Sequence, residues 1–233
     1  MRLERLAARM RSKLSALIGA ETSSSLLKDD SGVSVIELSL VLPPMLYMGM
    51  FGMELVNLAT VNMQVSQIAL SLSDNASRLG QTDNSGVTPT INETDIDSVM
   101  AGAIEQGISL NLAQNGKIIL TSFEYDEWTD RQYIHWQRCR GDYDRDSDFG
   151  DDGVNNGLLG VPKTGIGSGT EVSVTPNTAV MFVEVYYDYD HLFGDLFIGE
   201  RILAHEAAYL IRDDRNLEPG VTGTRSSDDT CAT

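Results

Sequence analysis

Residues 38–53 read LSLVLPPMLYMGMFGM, an uncharged run closed at its ends by Glu37 and Glu54. No other part of the chain restricts the fold as tightly. At ~1.5 Å per residue the run alone is slightly short for a bilayer, and flanking residues 33–36 and 55–59 make it long enough. Glu37 then falls at the edge of the apolar zone, where a carboxylate either snorkels to the interface or has a function. Pro43 and Pro44 stand inside the run. Each removes a backbone donor, so a kinked helix is expected.

A cleaved secretory signal is a poor reading. Its basic residues should adjoin a short apolar core followed by a small-x-small site, and here the apolar run begins only after Gly32, with no convincing site beyond it. Arg2, Arg5, Arg9, Arg11, Lys13 and Lys28 precede the run, and the next basic residue is Arg78. That bias predicts a cytoplasmic N-terminus. Leu3, Leu6, Met10, Leu14 and Leu17 recur at helical spacing, which suits either a membrane-surface helix or an unstructured leader.

Charge is distributed as unevenly as hydropathy. The chain carries 17 Lys and Arg against 34 Asp and Glu, a formal charge of -17. All of the excess acid lies after Gly32, because residues 1–32 carry more basic than acidic side chains. Such a surface repels nucleic acid and anionic lipid, so no nucleic-acid partner is expected. The two cysteines, Cys139 and Cys231, are not in a CxxC frame. In an exported domain they predict a disulfide.

After the run the helical period continues through Leu55, Leu58, Val61, Val65, Ile68, Leu72, Ala76 and Leu79, with Asn57, Asn62, Gln64, Gln67, Ser71 and Asp74 on other faces. One long helix leaves the membrane with an apolar stripe to bury. Thr94 and Asp97 have capping-box spacing before a second helix that ends near Gly116. Strands are predicted at 117–125, 133–139, 171–175 and 180–188, while 200–212 is ambiguous between strand and helix. Helices first, strands after, give an α+β fold. The expected division is a leader at 1–32, a transmembrane helix at 33–59, its stalk continuation at 60–80, an exported α+β domain at 81–215 with an acidic loop at 141–170, and a loose tail at 216–233.

Few residues suggest chemistry. Asp142, Asp144 and Asp146 have the 1, 3, 5 spacing of a calcium loop, but Ser147 stands at position 6 and Gly153 at position 12. A calcium site of another kind remains a candidate, and a solvated acidic loop is the favoured reading. His135, His191 and His205 have no ligand spacing, and neither H-E-x-x-H nor G-x-S-x-G occurs. The stretch 165–169 is Gly-rich but lacks the lysine of a phosphate loop. Trp128, Trp136 and the tyrosines at 186–189 are either a binding surface or half-buried sheet residues.

Gly32-Val33-Ser34-Val35-Ile36-Glu37 has the arrangement of a type IV prepilin: a glycine, four residues, a glutamate, then an apolar helix. Val35-Ile36-Glu37-Leu38, Leu40-Val41-Leu42-Pro43 and Phe51-Gly52-Met53-Glu54 resemble the N-terminal signature of TadE/TadG-like pseudopilins of the Tad (Flp) pilus. Shorter likenesses lie at 116–122, at 136–139, and at Tyr187-Asp188-Tyr189 with Leu192-Phe193. Leu38 stands where that family commonly has an aromatic. The resemblance implies a pilin-like fold, in which the long N-terminal helix packs on a small antiparallel sheet. It also implies cleavage after Gly32 by a prepilin peptidase, a new amine at Val33, and a Glu37 that pairs with a neighbouring subunit's amine. The implied location is the bacterial inner membrane, single pass, with the C-terminal domain outside the cytoplasm. The implied partners are other pilin or pseudopilin subunits and the inner-membrane assembly platform, with no catalysis. The competing expectation is a membrane-tethered envelope module that binds a ligand or calcium and is never processed.

Overall fold

The computed structural model describes residues 31–80, 88–212, 215–226 and 231. The leader expected at 1–32 lies outside the described residues except for Ser31 and Gly32. By backbone contacts the chain divides into a first unit through Gly52 and a second from Met53 onward.

Helix α1 (Ser31–Ser77) is assigned unbroken through Pro43 and Pro44. It is long and apolar enough to cross a membrane, and none of its most apolar window is buried in the protein. Leu40 is 72% and Met48 73% exposed. Arg78 and Leu79 close the helix with bonds to Asn75 and Ala76 carbonyls, and Gly80 takes a positive φ of 84° that suits glycine.

The second unit is α+β. After α1 come β1 (Ile91–Asn92), α2 (Glu93–Gln106), α3 (Leu112–Asn115), β2 (Gly116–Asp126), β3 (Arg131–Arg140), β4 (Ala179–Asp188), β5 (Ile202–Leu210) and β6 (Val221–Thr222). The four long strands form one antiparallel sheet in the order β3-β2-β4-β5. The ambiguous stretch at 200–212 is therefore an edge strand. The strand expected at 171–175 does not form: within it only Val172 makes a bridge, to Ile166, and the stretch does not join the sheet.

Helix α2 starts earlier than its expected cap. Asn92 Oδ1 accepts from the Asp95 N–H at 3.0 Å, and the Asp95 carboxylate reaches back to the Asn92 N–H. The box is thus Asn92–Asp95 rather than Thr94–Asp97, and Asp97 instead pairs with Arg140. The helix stops at Gly107, where a Cβ would lie 2.5 Å from a Leu112 methyl.

Both faces of the sheet are covered, which is why β2 and β4 are buried almost residue by residue. On one face Ile118, Leu120, Met181, Val183 and Val185 share a core with Val61, Val65, Ile68, Leu72 and Ala76 of α1. On the other, Phe123, Val180 and Phe182 pack with Ile134, Ile166 and Val174. The tail at 216–226 is less loose than its composition suggests. β6 pairs in parallel with β1, and Thr222 Oγ1 donates to the Ile91 carbonyl at 3.1 Å.

Candidate functional site

Gly32 and Val33 lie in the first turn of α1, with Val33 half exposed and Glu37 exposed one turn on. From Val33 to Met53 nearly every apolar side chain is exposed, among them Leu38, Val41, Met45 and Leu46. A continuous apolar surface of this extent marks a membrane or protein contact.

The first buried side chain of α1 is Glu54, which is 0% exposed, although Leu55, Val56 and Met63 beyond it are exposed again. Glu54 Oε1 accepts from the Tyr189 hydroxyl at 2.7 Å, and its Oε2 accepts from the Phe193 N–H at 3.2 Å. Asn57 Nδ2 donates to the same Tyr189 oxygen at 2.8 Å, so the phenol both gives and receives. Burial, then the bond to Glu54, pushes the Tyr189 phenol up to about 12. A buried carboxylate without donors is costly, and here two donors from beyond β4 satisfy it. Glu54 of α1 and the segment 189–193 beyond β4 thus meet at one carboxylate. Their union was not foreseen. The available signal was that Glu54 occupies the apolar stripe, four residues before Leu58 and seven before Val61, where a charge needs a partner.

Cys139 and Cys231 are bonded to each other, with Cα atoms 4.7 Å apart and a separation of 92 positions in sequence. The bridge fastens the tail to β3 beside Ile119 and Tyr186.

The acidic loop is more than solvated surface. Ser147 Oγ donates to Glu184 at 2.6 Å, and the Asp148 N–H donates to it at 3.2 Å. The Tyr186 hydroxyl adds a third bond at 2.7 Å. Burial still raises the Glu184 carboxyl above its usual range. Phe149 lies edge-on against Phe182, ring centroids 5.1 Å apart. The loop therefore roofs the sheet face opposite α1. Beside it opens a cleft of about 660 Å³ lined in part by Arg145, Asp146, Asp148, Asp151 and Asp152. Asp142, Asp144 and Asp146 are all exposed. Among the described residues no three His, Cys, Asp or Glu side chains converge to hold a metal ion, so the calcium spacing of this triplet does not become a cage.

Ser122, Glu124 and His135 have the residue types of a nucleophilic triad in the wrong order. Ser122 Oγ donates to Glu124 at 2.6 Å, and His135 Nδ1 lies 2.8 Å from the other carboxylate oxygen. The carboxylate stands between serine and imidazole, whereas base catalysis needs the imidazole between. The bond to Glu124 raises the His135 pKa despite burial. His205 is lowered by burial and contacts Asn62 at 2.9 Å. Trp136, Tyr186, Tyr187 and Tyr189 are buried, so they belong to the sheet's packing rather than to a binding surface. Trp128 is 96% exposed.

No known protein family, curated protein or solved structure matches the chain.

Proposed function

We propose that this chain is a TadE-like pseudopilin, a minor subunit that takes part in assembling a Tad-type pilus and is matured by a prepilin peptidase after Gly32. The observation that carries the reading is the change in α1 at Glu54. Ahead of it, an exposed apolar helix follows a G-x4-E motif; behind it, the same helix buries a stripe on an antiparallel sheet. Residues 33–53 rise about 32 Å as a helix, matching a hydrocarbon core of ~30 Å. The transmembrane segment on this reading ends at Met53 rather than at residue 59.

The leader stays in the cytoplasm, held by its basic residues, and the acidic domain lies on the far side of the inner membrane. Cleavage leaves an amine on Val33. Glu37, one turn on, offers a carboxylate within the apolar zone, where pairing with a neighbouring subunit's amine offsets its burial. Lateral contact with other pilins then uses the exposed face of residues 33–53. Membrane tethering without processing is the competing reading. It draws on the acidic cleft, and the lack of a convergent metal-binding group there among the described residues weighs against its calcium form.

Piliation of a host strain deleted for this gene and complemented with variants tests the proposal. Glu37→Ala should insert into the membrane yet fail to restore pili, and Glu37→Gln should be impaired because it keeps the shape and loses the charge. Full piliation by both variants would remove Glu37 from the mechanism.

A further inference from the structure

The loop joining β4 to β5 reads HLFGDLFIGE across 191–200. Its apolar residues turn outward: Leu192 is 55% and Leu196 63% exposed, and Ile202, at the start of β5, is 50% exposed. Phe193 and Phe197 stack edge-to-face with centroids 5.9 Å apart, holding a short 3-10 turn (Gly194–Leu196) between them. Two exposed leucines beside two half-buried phenylalanines within six residues do not suit a loop facing water.

The hydrogen bond from the Phe193 N–H to Glu54 fixes this loop beside the residue that directly follows Met53. If residues 33–53 fill the bilayer, as proposed above, the surface of the hydrocarbon lies at Met53. The loop must then stand at that surface. A shallow groove of about 300 Å³ lies alongside, lined by Leu55, Leu58, Ala59, Leu203 and the exposed Arg201. Its walls suit an acyl chain and its cation suits a lipid phosphate.

We infer that the β4–β5 loop is a membrane-docking element: Leu192 and Leu196, backed by the Phe193–Phe197 pair, enter the outer edge of the bilayer that the helix crosses. The Glu54–Tyr189–Phe193 bonds set the depth of that docking. Asp190, Asp195 and Glu200 flank the apolar side chains, so the loop suits a zwitterionic surface better than an anionic one. Docking adds a second point of attachment, which fixes the tilt of the domain and so the direction in which the sheet is presented to a neighbouring subunit.

Spin labels on the full-length protein in phosphatidylcholine vesicles test the inference. Cys139 and Cys231 are bonded to each other, so labels attach only to introduced cysteines. Leu196→Cys probes the loop. Trp128→Cys is the control, because the β2–β3 turn lies at the opposite end of the sheet, about 30 Å along the strands by the register. The Leu196→Cys label should collide readily with oxygen and several-fold less often than the Trp128→Cys label with a water-soluble nickel chelate. Nickel collisions equal to those of the control would overturn the inference. So would shielding from oxygen and nickel alike, which would put a protein partner on the loop. A third label at Val41→Cys separates the two readings. Val41 in lipid with Leu196 in water sinks the docking loop alone; Val41 in water sinks the membrane reading and the docking loop with it.

Discussion

Through Met53, helix α1 shows exposed apolar side chains on every face; from Glu54 to Ser77 it buries one apolar stripe, with Asn57, Asn62, Gln67 and Asp74 off it and only Leu55, Val56, Met63 and Leu70 as large apolar side chains still exposed. Leu40 and Leu72 illustrate the difference: the same residue type on the same helix, one 72% and the other 1% exposed. The first stretch is built for a surrounding that is apolar all round. The second is built for one apolar neighbour and water. Helix propensity does not distinguish them; the pattern of polar residues does. The buried stripe begins at a single carboxylate, Glu54, whose burial is offset by donors from Tyr189 and Phe193.

The two stretches should respond to different perturbations. Reduction of the disulfide should have the largest effect, and only on the domain. The bridge closes a segment of 92 residues, so losing it should cost about 4–5 kcal/mol by the loop-closure argument. Denaturation in detergent micelles would show an earlier loss of sheet with the helicity of 33–53 retained. Equal loss from both regions would break the comparison.

Truncation comes next. Leu72→Ala opens a cavity in the core between α1 and the sheet and should cost about 2–5 kcal/mol. Leu40→Ala removes a similar volume from an exposed position and should change domain stability by less than about 0.5 kcal/mol. Chemical denaturation followed by the fluorescence of buried Trp136 compares the two directly.

Glu54→Leu should cost about 1–3 kcal/mol, because it takes the carboxylate acceptor from the Tyr189 hydroxyl and the Phe193 N–H. Hydrogen exchange would locate that loss: the Phe193 amide should exchange faster while β2 amides stay protected. An unchanged Phe193 amide would mean that the boundary at Glu54 is not held by this carboxylate.

The smallest effect is a pH dependence confined to the domain. His135 has its folded pKa raised by Glu124. Its contribution to stability is therefore fully present below its unfolded value, ~6.5, and is lost as pH rises through the folded value. Glu184, also raised, acts with the same sign in the carboxylate range. His205, lowered, acts with the opposite sign and loses its contribution as pH falls below ~6.5. Urea midpoints at about pH 5 and about pH 8 should therefore show His135→Gln flattening the decline toward high pH. His205→Gln should leave that decline in place.

Sequence periodicity located the elements that local pattern alone controls. The apolar run and the stripe of α1 were readable, and β2, β3 and β4 matched their expected spans to within two residues at each end. What failed depended on neighbours. The residues of β5, ILAHEAAYL, favour helix as much as strand, and pairing with β4 decides. The stretch 171–175 has strand composition, but its one bridge is local, from Val172 to Ile166, and it does not join the sheet. The acidic loop was read as solvent-facing because its composition is polar. Yet Ile118, Ile119 and Leu120, consecutive and fully buried, already implied that both sheet faces needed a cover, and the loop supplies one through Ser147, Asp148 and Phe149. The disulfide was anticipated from cysteine count. The Glu54 cluster was not, because it joins positions 135 residues apart.

Intact mass of the protein extracted from membranes of a host with an active prepilin peptidase tests the central claim most directly. The account predicts a chain that begins at Val33, and a Gly32→Arg variant that stays full length in the same membranes because a glycine at the scissile bond leaves no side chain to clash in a tight peptidase site. A wild-type chain that still begins at Met1, or a Gly32→Arg variant that is shortened like the wild type, would contradict it.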